Sequence, residues 1–423
     1  MVSSRPPRRC RPAGDVERDF QPFFGHPARR PALDRERRPS EALNLQGHYR
    51  TIPMTMLRAE TRIALPDPAA VLRPLCEHLL EHEAEIGEAD GVTMIRFGGS
   101  RTELRADSGA LSVVIEAPDL AQLQGSKIAI ASHVVEFSPE GAAPAINWSG
   151  DGAEPMLPPD FRVLTVTGVE QLTPHMRRIR FRGDDLAHYD SLEALHVRLF
   201  IPPAGLAEPA WPMIGADGLL QSLPPEQRPA IRKYTIREID VAAGTLAIDF
   251  VLHDDAGPGS AFAAGVQIGD RIGMAGPGGR GLKQAERYLF LADETGLPAL
   301  ARMLAHLPAQ ARGLALIEIA DANERQPLPL PEGFDVRWLH RDGVAPGSTT
   351  LLVDALATLD WPPGEGSLYL WAATEHTAFR EIRATARQHL RPGIDEHLVV
   401  SYWRAGLAEE QHMAEKKQAA KAA

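Results

Sequence analysis

From Tyr288 to about residue 390, strand-length runs, the first of them wholly apolar, alternate with helical segments, and this pattern constrains the fold more than any other in the chain. Tyr288-Leu-Phe-Leu-Ala292, Gly313 to Ile319, Asp335 to Leu339 and Ser367 to Ala373 have strand length, and helical patterns start near Leu297, Thr349 and Thr377. Strands alternating with helices predict a doubly wound α/β domain on a parallel sheet. The stretch before it reads differently. Phe161 to Val169, Met176 to Arg182, His196 to Ile201, Lys233 to Asp240, Thr245 to Val251 and Arg271 to Ala275 are short strands with turns and no long helix between them. That spacing predicts a small antiparallel β-barrel.

A third unit precedes these two. Val71, Leu72, Leu75, Leu79 and Leu80 fall at helical spacing within Ala69 to Glu85, Val92 to Phe97 and Leu111 to Glu116 read as strands, and a second helix follows Pro118. The expected division is therefore a multidomain chain. An Arg/Pro-rich disordered segment occupies 1–53, an α+β domain 54–140, a Pro/Gly-rich linker 141–158, the barrel 159–284, the α/β domain 285–410 and a charged tail 411–423. A basic tether or an over-long start ahead of Met54 and Met56 is the alternative reading of the first segment.

Composition narrows the chemistry. Neither an apolar run of about 18 residues nor a signal peptide is visible, which leads to the expectation of a cytoplasmic protein with no integral membrane segment. The two cysteines, Cys10 and Cys76, are too few to ligate an iron–sulfur cluster, so any electron carrier has to be organic. A net charge of −11 argues against nucleic acid as a partner.

Arg232-Lys233-Tyr234-Thr235-Ile236-Arg237 matches the Arg-x-Tyr-Ser/Thr pattern of ferredoxin-reductase-like FAD domains. Alternate residues of a strand share a face, so Arg232 and Tyr234 can act together, the ring under an isoalloxazine and the guanidinium on the pyrophosphate. Thr235 then lies near the flavin's hydride-accepting edge. The alternative is a plain strand with one aromatic and two surface arginines. About 20 residues on, His253 leads into Gly257-Pro258-Gly259-Ser260-Ala261, a glycine-bearing turn opening a helix, whose exposed amides suit a phosphate.

Those two pieces, with Leu291-Ala292-Asp293-Glu294-Thr295-Gly296-Leu297-Pro298-Ala299, Trp371-Ala372-Ala373-Thr374-Glu375 and Tyr402-Trp403-Arg404-Ala405-Gly406, resemble the siderophore-interacting protein family of ferric-siderophore reductases over about 160–415. The unit at 55–138 is similar to a small uncharacterised domain family that can accompany them. The resemblance implies an FAD-dependent NAD(P)H oxidoreductase, with NADPH favoured as donor and a ferric siderophore, an anionic chelate, as substrate. It also implies a cofactor set of Arg232, Tyr234, Thr235, His253, Gly257, Gly259, Ser260, Ala261, Ala292, Asp293, Glu294, Thr295, Ala373 and Glu375. Thr235, Arg198, Arg280 and Arg404 are implied around the reacting centre, with Lys283 as an alternative to Arg280. Asp293 and Glu294 can equally cap the following helix. Gly259, Phe262, Gly296 and Thr374 depart from the family pattern of Ala, Trp, Ala and Gly, and Thr374 brings a side chain to the nicotinamide side of the site. A monomer is expected. A reductase serving a ferredoxin or quinone, and a non-catalytic siderophore-binding module, stand as alternatives.

Two motifs are set aside. Gly276-Pro-Gly-Gly-Arg-Gly281 has Gly-x-Gly-x-x-Gly spacing but leads toward another strand rather than a helix. His78-Leu-Leu-Glu81-His82 puts two imidazoles on one helical face with His133 as a possible third ligand, yet such a pair is more often structural, and no metal is assigned.

Overall fold

The computed structural model describes residues 56–82, 84–139, 144–206, 208–253, 257–359, 361 and 366–407. The segments expected as a disordered start, 1–53, and a charged tail, 411–423, lie outside the described residues. The described chain falls into two compact units, one built from residues up to Pro159 plus Trp211–Pro224, the other from Asp160–Ala210 and the residues from Pro225 on.

The first unit is a six-stranded antiparallel sheet under two helices. Its strands are β1 (Leu57–Ala64), β2 (Glu85–Ala89), β3 (Val92–Phe97), β4 (Ser100–Asp107), β5 (Ala110–Ala117) and β6 (Ser149–Gly150), in the order β2-β3-β4-β5-β1-β6. Residues of β1 alternate between buried and exposed, as a strand with one covered face must. The helices α1 (Pro68–Glu81) and α2 (Leu120–Phe137) begin where Asp67 and Asp119 accept the amides of Ala70 and Gln122, at 3.1 and 2.8 Å.

The sequence alone places 141–158 as a linker and 211–224 within the barrel. In the structure, Ile146 and Trp148 are core residues of the first unit, β6 pairs with β1, and Ile214 bridges Met156. Trp148 Nε1 donates to Asp217 O at 3.1 Å, which ties the returning segment down. The prolines and glycines that read as a spacer frame apolar side chains that need burial.

The second unit begins with a closed six-stranded barrel of β7 (Phe161–Thr173), β8 (Met176–Arg182), β9 (His196–Ile201), β10 (Ala230–Asp240), β11 (Thr245–Val251) and β12 (Arg271–Gly278). Its strands close in the order β10-β11-β8-β7-β12-β9, with the short helix α3 (Pro258–Gly265) after β11. The parallel sheet that follows uses β13 (Arg287–Ala292), β14 (Arg312–Ile319), β15 (Gly333–His340), β16 (Leu368–Glu375) and β17 (Glu396–Trp403), ordered β15-β14-β13-β16-β17. Helices α4 (Leu297–Ala305), α5 (Leu351–Ala357) and α6 (His376–His389) connect it. The order reverses between β13 and β16, and in open α/β sheets ligands bind outside the carboxyl ends of strands at such a switch point.

Two buried side chains join barrel and sheet within this unit. Arg302 of α4, 1% exposed, donates to Ile236 O on β10 at 3.1 Å and to Tyr189 O at 3.4 Å. Glu324, 2% exposed, accepts Thr173 Oγ1 at 2.5 Å, with the His175 amide at 3.0 Å and Nδ1 at 2.7 Å.

Candidate functional site

Strand β10 runs between β9 and β11, and its pairing with β9 sets Arg232 opposite Leu199, Tyr234 opposite Val197 and Thr235 opposite His196. Directly paired residues lie on the same face. Arg232 and Tyr234 thus share the face of Val197 and Leu199, while Lys233 and Thr235 share that of Arg198 and His196. The Tyr234 ring packs 4.3 Å from Phe250 at 41°, and its hydroxyl reaches the first turn of α3. A Cβ on Gly259 would lie 2.1 Å from that hydroxyl, so the glycine gives the tyrosine its place.

The start of α3 carries no side-chain cap, which leaves first-turn amides directed outward beside Tyr234. Ser260, 4% exposed, accepts the His253 amide at 3.2 Å and closes the loop between β11 and α3. Gly257, Ala261 and His253 are exposed around this turn. Arg177 donates to Ala263 O and Ala264 O at 2.8 and 3.0 Å, satisfying carbonyls at the other end of α3. These residues fit a flavin dinucleotide: an aromatic ring, an arginine on the same strand face and an uncapped helix start lie side by side. Arg237, the last residue of the motif, instead joins Arg178 around Asp249, with Arg178 Nε 2.7 Å and Arg237 Nε 3.9 Å from its carboxylate.

Beyond the ends of β13 and β16, Ala292 pairs with Ala373, so the two candidate nucleotide segments are neighbours. Their carboxylates already have protein partners. Asp293 accepts from the Thr295 amide and hydroxyl at 2.9 and 2.5 Å, from Gly296 N at 3.3 Å, from Glu375 N at 3.0 Å and from Trp403 Nε1 at 2.8 Å. It therefore caps the turn into α4 and ties the ends of β13, β16 and β17 together. Burial pushes this carboxyl up to about 6, against the Thr295 and Trp403 hydrogen bonds that favour its charged form.

Glu294 is gripped from both sides by the Arg341 guanidinium, at 2.5 and 2.9 Å. Glu318 sits 3.5 Å from Arg341 and 2.9 Å from Thr349 Oγ1, its carboxyl raised by burial. Glu375 accepts the Thr377 amide at the start of α6 and the Ala405 amide. Thr374, fully buried, hydrogen-bonds Glu375 O at 3.2 Å. Asp293, Glu294, Glu318, Arg341, Thr374, Glu375 and Trp403 line one cavity at the switch point.

The three arginine-bearing segments meet at one contact. Tyr402 Oη lies 2.5 Å from His196 Nε2, and Gly279 packs against the Nδ1 side of the same imidazole, where a Cβ would come within 2.6 Å. Arg198 is two residues from His196, Arg404 two from Tyr402 and Arg280 next to Gly279. Arg198 is largely buried, and burial lowers its pKa while Asp160, 3.7 Å away, acts the other way. Arg280 and Lys283 are exposed and Arg404 is half-buried. Gly276 to Gly281 lies at the end of β12 and the loop after it, and leads to β13 without a helix.

In the first unit, His78, His82 and His133 gather with Phe137. His78 Nε2 and His82 Nε2 are 3.1 Å apart, and the His78 and His133 ring centroids 4.6 Å. Among the described residues, no group of three or more His, Cys, Asp or Glu has metal-holding geometry.

Tyr402 and Arg302 were not singled out by sequence as site residues. Tyr402 sits inside a recognisable motif, but its contact with a histidine 206 positions away has no sequence signature.

Comparison with known proteins agrees with this layout. The siderophore-interacting FAD-binding domain model matches residues 165–281, the siderophore-interacting protein model 285–406, and a domain described as an uncharacterized protein conserved in bacteria 60–149. The NADPH-dependent ferric-chelate reductase of Escherichia coli K12 is 33% identical over 217 residues, 49% of this chain and 83% of that protein. The ferric vibriobactin reductase ViuB of Vibrio cholerae is 27% identical over 258 residues, 60% of this chain and 93% of that one. Among solved structures, a siderophore utilization protein from T. fusca is 39% identical with a TM-score of 0.52, covering 59% of this chain and 94% of its own. The siderophore-interacting protein SipS from Aeromonas hydrophila is 31% identical with a TM-score of 0.52, covering 62% of this chain and 98% of its own. The chain belongs to the siderophore-interacting protein family and is an FAD-dependent oxidoreductase.

Proposed function

We propose that this protein reduces ferric siderophores with NADPH and releases iron as Fe(II) in the cytoplasm, where reduced pyridine nucleotides are held. The observation that carries the reading is the meeting of the Arg198, Arg280 and Arg404 segments beside the strand of Arg232, Tyr234 and Thr235. An FAD bound there supplies hydride acceptance and single-electron delivery. Tyr234 would support its ring system, and Arg232 with the Gly259 and Ser260 amides its diphosphate. Ala292, Thr295 and Ala373 would line the nicotinamide side, with Asp293, Glu294 and Glu375 holding those strand ends in place. The arginines supply positive charge and paired donors to an anionic chelate, which favours a siderophore over a neutral quinone. NADPH as donor is supported by the name of the Escherichia coli relative.

The test is anaerobic oxidation of NADPH and NADH against several ferric siderophores, with Fe(II) trapped by a chelator. Arg404→Glu is expected to slow turnover of anionic ferric catecholates about tenfold or more while a neutral acceptor is much less affected. Equal losses on both acceptors would remove Arg404 from the substrate site.

A further inference from the structure

Three imidazoles of the first unit gather at one end of α1, and they have no part in the flavin chemistry. His78 stands in the last turn of α1 and His82 caps its end four residues on, so both rings lie on one face of the helix. Their Nε2 atoms are 3.1 Å apart. His133 of α2 packs on the His78 ring with centroids 4.6 Å apart, and its own Nδ1 donates to Ala129 O at 2.6 Å.

A neutral imidazole carries a hydrogen on one nitrogen and a lone pair on the other. Glu81 Oε2 lies 3.9 Å from His78 Nδ1, which favours the hydrogen there and leaves the Nε2 lone pair facing His82. One proton, on His82 Nε2, then occupies the space between the two nitrogens. An ion with metal–nitrogen bonds of about 2.0–2.1 Å holds neighbouring imidazole nitrogens roughly 2.9–3.4 Å apart, from the right-angled to the tetrahedral limit. The 3.1 Å spacing falls between those limits. Rings radiating from one ion have centroids about 4.5–5.2 Å apart over the same range, whereas rings set head-on for a straight hydrogen bond at this spacing have them roughly 5.4 Å apart. The centroids of His78 and His82 are 4.8 Å apart, with the ring planes inclined at 63°. The rings are thus already angled toward a common point.

We infer that His78 and His82 form a binding site for a divalent transition metal on the first unit, independent of the flavin site. Imidazole nitrogen selects ions of the zinc, nickel and copper kind over magnesium and calcium, which take oxygen. Among the described residues no third His, Cys, Asp or Glu completes a closed set, so water fills the remaining positions and the ion is exchangeable rather than structural. His78 is half-buried and His82 exposed, which leaves the ion a path from solvent. On binding, two metal–nitrogen bonds form, two waters leave the ion, and the proton between the rings leaves Nε2. His133, 8% exposed, and Phe137, with its centroid 6.3 Å from that of His78, steady the His78 ring without joining it as ligands.

Equilibrium dialysis of the chelator-stripped full chain against Zn²⁺ tests the site, and electron paramagnetic resonance of the Cu²⁺-loaded chain reads its ligands. One ion per chain is expected to bind above the background of the other histidines, and the Cu²⁺ spectrum to show coupling to two imidazole nitrogens. His78→Gln and His82→Gln should each weaken Zn²⁺ binding at least about tenfold, since loss of even an outer partner of a metal ligand typically costs that much. His82 is exposed, so His82→Gln is expected to keep the wild-type circular dichroism and decides the matter should His78→Gln fail to fold. A wild-type chain that takes up no Zn²⁺, or a folded His82→Gln variant that binds it as tightly as wild type, would overturn the site. A Cu²⁺ spectrum with oxygen ligands alone would do the same.

Discussion

Gly296 shows how one absent methyl group can organise a strand end. A Cβ there would lie 2.5 Å from Ala373 O and 3.1 Å from the Cβ atoms of Ala292 and Ala373, all on the two strands that flank the switch point. Gly296→Ala is expected to cost about 1–3 kcal/mol, because backbone must move to accept it, and thermal unfolding of the variant measures the loss. That residue differs from the alanine expected from the family resemblance, and nothing in the sequence announces how closely Ala373 approaches it. The same limit applies to Asp293 and Glu294, where sequence left cofactor contact and helix capping both open. The hydrogen bonds to Thr295, Gly296, Glu375 and Trp403, and the pairing with Arg341, depend on strand ends that meet only after folding. Tyr234 and Gly259 were both legible as motif residues, yet the contact between them was not.

At the scale of elements, most of the barrel and the parallel sheet could be read because their strands are continuous apolar or alternating runs. β8, β9 and β11 have the limits that periodicity indicates. β17 was missed as a strand: it is the edge of the sheet and opens with Glu396 and His397, so its apolar portion is short. Asp395 anchors the approach to it. Its carboxylate accepts the amides of Leu368 and Arg391 at 2.9 Å each and is paired with the Arg391 guanidinium. The Arg391 hydrogen bonds hold its pKa well below the usual carboxylate range. A depressed folded-state pKa stabilises above the unfolded value of about 4, and that contribution fades as pH falls through the folded one. Asp395→Asn should therefore lower the melting temperature most above about pH 5, with the gap to wild type narrowing as pH drops below about 4. A gap independent of pH would show that charge at Asp395 contributes nothing.

For the molecule as a whole, the order of units was legible while their composition was not. Residues 211–224 leave the barrel sequence and pack with the first unit, a long-range pairing of Met156 with Ile214 that no local pattern announces. The reverse holds for the arginines. Each is an ordinary surface-type residue in sequence, and the fold brings Arg198, Arg280 and Arg404 to within two residues of the His196, Gly279 and Tyr402 contact. Under the proposed reading, the charge of these arginines adapts the architecture to an anionic chelate, because function lives in the site rather than in the fold.

FAD binding is expected to depend on Tyr234, Arg232 and the start of α3 together. Titrating the FAD-free protein with FAD and following flavin fluorescence and absorbance tests it most directly. One tightly bound FAD per chain is expected, weakened about tenfold to a hundredfold in Tyr234→Ala, since aromatic contact of this kind contributes roughly 1–3 kcal/mol. A wild-type protein that takes up no FAD, or a Tyr234→Ala variant that binds it equally well, would contradict it.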